Sequence, residues 1–142
     1  MSITTALTNQ GKLDCLQGLH QPGHTYKCAL IKATPAGTLD KTMQYYSDLG
    51  TDEVADGNGY TTGGVVLSNI SFAITGDVAS IDWDNATWPA STISADGCII
   101  YNDSLANKNV LSVHAFAATV TSSNDLFTAT IPETGVGVVR FG

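Results

Sequence analysis

From residue 64 onward the chain never carries an apolar run long enough for a helix without meeting a turn signal. Short runs rich in Val, Ile, Thr and aromatic residues recur at about 8–12-residue spacing. We read strands over 65–67, 71–75, 79–82, 97–101, 109–117, 126–131 and 136–141. Gly76-Asp77, Asp84-Asn85, Asn102-Asp103, Ser122-Ser123-Asn124 and Glu133-Thr134-Gly135 separate them. Trp88-Pro89 and Ile93 add an edge segment, because Pro89 has no N–H to give a central strand. Such a chain cannot become a helical bundle or a doubly wound α/β domain. The pattern predicts a mainly β fold, an antiparallel β-sandwich of the jelly-roll kind.

The first third reads differently. Residues 4–17 predict one short helix, with Thr4 or Thr5 as cap, Gly18 as stop, and Ala6, Leu13, Leu16 and His20 on a buried stripe. Pro22-Gly23 then turns the chain into a strand at 25–33 with one buried face. Residues 40–48 predict a helical turn capped by Asp40, with Met43, Tyr46 and Leu49 inward. The Gly-rich stretch 50–64 reads as an ordered loop whose Gly57-Asn58-Gly59 and Gly63-Gly64 suit positive φ. No repeat or internal boundary interrupts residues 1–142, so a single domain is expected.

Charge narrows the function. Thirteen acidic residues against six basic ones give a net charge of -7. The six cations are scattered, so no basic stripe exists for nucleic acid or an anionic membrane surface. No apolar run approaches the roughly 20 residues of a membrane span. Met1-Ser2-Ile3-Thr4-Thr5 lacks the basic and apolar regions of a secretory signal, which predicts cytosolic synthesis. The three cysteines, Cys15, Cys28 and Cys98, are expected as buried thiols.

Chemistry-bearing patterns are sparse. Cys15, His20, His24 and Cys28 are zinc-type ligands around one turn, but core packing of the cysteines and a surface turn for the histidines is the simpler reading. Asp52, Glu53, Asp56 and Asn58, and separately Asp77, Asp82, Asp84 and Asn85, fail the EF-hand spacing and read as loop acids. His114 sits inside a strand and reads as a packed residue. No nucleophile elbow, phosphate loop or metalloprotease motif is present. No catalytic residue, cofactor or metal is expected. Trp83, Trp88, Tyr45, Tyr46, Tyr60 and Tyr101 leave open a carbohydrate-binding sandwich.

Several segments resemble a family of small structural proteins of tailed bacteriophages. They are Leu7-Thr8-Asn9-Gln10-Gly11-Lys12, Tyr26-Lys27-Cys28-Ala29-Leu30-Ile31, Gly57-Asn58-Gly59-Tyr60-Thr61-Thr62-Gly63-Gly64, the run from Ile93 to Asn102, and Leu111-Ser112-Val113-His114-Ala115-Phe116. Cys28 and Cys98 depart from the family pattern. The resemblance implies a jelly-roll capsid cement (decoration) protein on the outer surface of the virion. Its partner would be a major capsid protein of the HK97-like fold. A tail, neck or fibre-associated component is the neighbouring possibility. Under this reading an N-terminal arm, residues 1–8, and the loop 50–64 touch partner subunits, through Thr4, Leu7, Tyr60, Thr61 and Thr62. A homodimer is expected on the shell, joined at an edge strand within 65–67 or 88–93.

Overall fold

The computed structural model describes residues 2–130 and 139–141. It is mainly β, with 47% of residues in strands against 12% helical, which realises the predicted antiparallel sandwich with one short N-terminal helix. In chain order the elements are β1 (Ser2–Ile3), β2 (Ala6–Leu7), α1 (Asn9–Leu16), β3 (Tyr26–Lys32), β4 (Thr38–Leu39), a 3-10 helix (Tyr46–Asp52), β5 (Val65–Val66), β6 (Ser71–Thr75), β7 (Val78–Asp82), β8 (Ala86–Ser91), β9 (Ser94–Asn102), β10 (Val110–Thr121), β11 (Asp125–Ala129) and β12 (Val139–Phe141).

The large sheet runs β2-β10-β9-β3-β5. Its interior strand β3 was expected to bury one face and buries both. Tyr26, Cys28 and Leu30 enter one apolar cluster with Ile100, Trp83, Trp88 and Phe127. Ala29 and Ile31 enter a second with Ile99, Tyr101, Met43 and Leu49. The first layer is supplied by the small sheets β11-β8 and β12-β7-β6. The second comes from the chain between β4 and the 3-10 helix. A strand covered on both sides reads as a continuous apolar run instead of an alternating one, and Cys28-Ala29-Leu30-Ile31 is such a run.

The N-terminal region corrects the sequence reading. Helix α1 begins at Asn9, and Thr8, not Thr4 or Thr5, is its cap: its Oγ1 accepts from the Gly11 N–H at 2.8 Å. The supposed first turn of helix is instead β2, whose Ala6 and Leu7 pair with Val113 and Ser112 of β10. The predicted stripe is also inverted. Leu13 and Leu16 are 48% and 84% exposed, while Gly11 and Asp14 are buried. A Cβ on Gly11 would lie 2.7 Å from the Leu111 carbonyl oxygen, so only glycine lets α1 approach β10 this closely. Polar anchoring of the helix by Asp14 replaces the apolar seam that its period suggested.

Elsewhere the differences are shifts of boundary. The helical turn expected at 40–48 forms later, as the 3-10 helix. Asp40 accepts from the Thr42 N–H and caps nothing. Met43 and Leu49 are buried as expected, and Tyr46 is partly buried. Of the expected strand 136–141, residues 136–138 lie outside the described residues, as does Ile131 of 126–131. Among the described residues β12 pairs with β7. Strands β5, β8 and β6 have one partner each among the described residues. The first two match the edges expected at 65–67 and 88–93.

Candidate functional site

The Gly-rich loop is organised by one carboxylate. Glu53 Oε1 accepts from the Tyr46 hydroxyl at 2.5 Å, and Oε2 from the Tyr60 hydroxyl at 2.6 Å and the Gly63 N–H at 2.7 Å. The Tyr60 oxygen in turn accepts from the Leu30 N–H of β3 at 3.1 Å. Tyr101 donates to the Gly63 carbonyl at 2.6 Å and stacks on Tyr46. Burial, reinforced by the Glu53 carboxylate, pushes the Tyr46 and Tyr60 phenols far above their ordinary range, so both remain donors. Gly57, Asn58, Gly59, Gly63 and Gly64 all have positive φ, as the sequence predicted.

This geometry redistributes the expected contact residues. Tyr60 is 2% exposed and stacks on Trp88, so it serves its own core and is not a surface contact. Thr61 and Thr62 are exposed, with the Thr62 N–H held by Asp56. Thr4 is exposed, but its N–H donates to the Leu39 carbonyl at 2.9 Å. Leu7 packs against the main apolar cluster. The arm is thus folded onto its own domain through β1, β2 and the Thr8 cap. Deleting residues 1–8 would remove structure and not merely a contact.

The turn histidines meet one asparagine. Asn102 Nδ2 donates to Nδ1 of His20 at 3.1 Å and of His24 at 2.9 Å, while its Oδ1 accepts from the Ser104 N–H. Both Nδ1 atoms are therefore acceptors, and each ring carries its proton on Nε2. His20 Nε2 stands 3.5 Å from Asp14 Oδ2, and that carboxylate also accepts from Gln10 and Asn109. Cys28 is buried against Cys98, away from this turn. Among the described residues, no three His, Cys, Asp or Glu side chains converge to hold a metal ion. Of the six aromatic residues that left open a carbohydrate platform, Trp83, Trp88, Tyr60 and Tyr101 are buried, and Tyr45 and Tyr46 are partly exposed.

The histidines set a pH dependence. Burial lowers His114 to about 4 from 6.5, and burial also lowers His20 despite its Asp14 neighbour. The unfolded chain therefore binds these protons first. Stability is full above pH 6.5 and falls as pH drops from 6.5 toward 4. His114 keeps some solvent exposure, so we expect a loss of about 1–2 kcal/mol over that window. Urea unfolding at pH 7.5 and 4.5 checks this, and His114→Gln should flatten the difference.

Several large apolar side chains stay on the surface. Phe72 and Ile74 of β6 are 41% and 79% exposed, alongside Leu13 and Leu16 of α1, Val66 and Leu126. No signal in the sequence marked β6 as outward-facing, because Ser71-Phe72-Ala73-Ile74-Thr75 alternates like any half-buried strand. Among the described residues, no helix is long and apolar enough to cross a membrane. No protein-family model, curated protein or solved structure matches this chain.

Proposed function

We propose that this chain is a non-enzymatic structural protein of a tailed-phage virion, a cement protein that bridges major capsid protein subunits on the outer shell. The observation that carries this reading is strand β6. It ends its sheet among the described residues, and it presents Phe72 and Ile74 to solvent. An open strand edge with large apolar side chains is a surface that soluble monomers ordinarily cover or charge. A shell protein repeated by symmetry needs such patches, since many modest contacts sum to strong retention. The low charge and net acidity fit an outer surface with no nucleic acid to bind. The segments that resemble small phage structural proteins support the same assignment. We place the expected homodimer contact at a sheet edge, with β6 the most apolar of the candidates.

Ile74→Lys tests this directly. The side chain is exposed, so the variant should keep its unfolding midpoint within about 0.5 kcal/mol. Binding to capsids should fall about tenfold or more, as for loss of an interface hot spot. Full decoration by a folded Ile74→Lys protein would remove β6 from the interface.

A further inference from the structure

Strand β6 ends its sheet among the described residues, and its register fixes what the open side offers. Thr75 pairs with Val78 across the two-residue turn Gly76-Asp77, where Gly76 has a φ of +61°. Residues flanking such a turn exchange both main-chain hydrogen bonds, and bonded pairs then alternate along the strands. Ser71, Ala73 and Thr75 therefore direct their N–H and C=O groups at β7. Phe72 and Ile74 direct theirs outward, at the open edge. Their side chains share one face with Ile81 and Ala79 and are exposed.

An open row of main-chain donors and acceptors takes an extended strand. The other strands that end a sheet among the described residues suit this less. β1, β2, β4 and β5 have two residues each, β8 contains Pro89, β11 begins with Asp125, and β12 contains Arg140. β6 offers five residues without charge or proline. The net charge of -7 opposes broad contact between copies, so they meet best along such a neutral strip.

We propose that β6 pairs antiparallel with β6 of a second copy, with Ala73 facing Ala73 across a two-fold axis. Phe72 of each copy then stands opposite Ile74 of the other, and every outward N–H and C=O of these residues is bonded. Aromatic meets β-branched and small meets small, as a self-complementary contact requires. This pairing rests on the β6 edge of the shell reading above and gives that dimer its register. It leaves Phe72 and Ile74 of both copies side by side on one face for the capsid. A strand this short buries less than the roughly 1,200 Å² of a stable complex, so the pair is weak in dilute solution and fills where a shell holds copies together.

Cross-linking of the free, full-length chain at about 1 mM, where a weak pair is populated, tests the register. Ala73 and its copy form a non-bonded pair with Cβ atoms about 4.5 Å apart, within reach of a disulfide. Cys15 is partly exposed, so the background is Cys15→Ser; Cys28 and Cys98 are buried. With diamide as oxidant, Ala73→Cys should form a linked dimer at least about tenfold faster than Ser71→Cys, whose copies would stand about 13 Å apart. Adding Ile74→Pro removes an outward N–H that its own hairpin does not use, so the protein should fold and cross-link no faster than Ser71→Cys. If it does not fold, Ile74→Lys, which sets like charges on both sides of the axis, serves the same purpose. Equal rates for Ala73→Cys and Ser71→Cys, or an undiminished rate with Ile74→Pro, would overturn the pairing and leave the shell assignment standing. Loss of decoration by Ile74→Pro with no Ala73→Cys cross-link would also overturn it and give the edge to a capsid strand. A cross-linked dimer in a chain that never decorates capsids would keep the pairing and refute the shell reading.

Discussion

Replacing Gly64 with alanine is expected to unfold this protein under conditions where the unaltered chain is stable. A Cβ at position 64 would lie 1.8 Å from the Cys28 carbonyl oxygen and 2.6 Å from its carbon. Cys28 cannot retreat. Its backbone is paired with β5 on one side and β9 on the other, and its side chain is fully buried. The φ of +83° at Gly64 adds strain for any L side chain. Steric overlap and strain together should cost about 4 kcal/mol or more, among the largest single-residue effects. Gly57→Ala is the control. Its φ is +108° but its Cβ would meet nothing within 4 Å, so only about 1–2 kcal/mol of backbone strain is expected. Urea denaturation of both variants separates close packing from backbone conformation. Equal midpoints would show that the β3–β5 approach is not the constraint.

Glu53→Ala should be the second most damaging change. It removes the acceptor for three donors, the hydroxyls of Tyr46 and Tyr60 and the Gly63 N–H. Tyr60 is buried and keeps no other acceptor among these contacts, although its oxygen still receives the Leu30 N–H. Leaving buried donors unpaired costs about 1–3 kcal/mol each, and partial hydration of the vacated space repays some of it. We expect a net loss of about 3 kcal/mol by urea denaturation. Glu53→Gln, which keeps an acceptor oxygen, should recover roughly half of it. A loss below about 1 kcal/mol in Glu53→Ala would mean that the loop is held by its glycine turns alone.

Most strands after residue 64 were legible because they are β-rich and closed by Gly, Asn or Asp, which is local information, whereas β9 and β10 run several residues beyond their expected ends. β6 matched its expected bounds, and β7 and β5 differed by one residue. The N-terminal third was less legible, because its structure depends on remote partners. Ala6-Leu7 has no strand character alone and pairs only because β10 offers an edge. Helix α1 carries its leucines outward, since Gly11 and Asp14 fix which face meets β10. A periodicity argument counts apolar residues and cannot see a buried aspartate satisfied from positions 10 and 109. The burial of Tyr60 was missed for a related reason. An aromatic in a glycine loop reads as exposed, yet Tyr60 has a carboxylate seven positions earlier and Trp88 to pack on.

Cryo-microscopy of the intact phage particle tests the shell assignment most directly. The account predicts copies in the hundreds on the outer capsid surface. Each should sit over junctions between major capsid subunits, with β6 and its Phe72 and Ile74 in the contact. A single ring of about six or twelve copies at the neck or tail, or no copies in the particle at all, would contradict it.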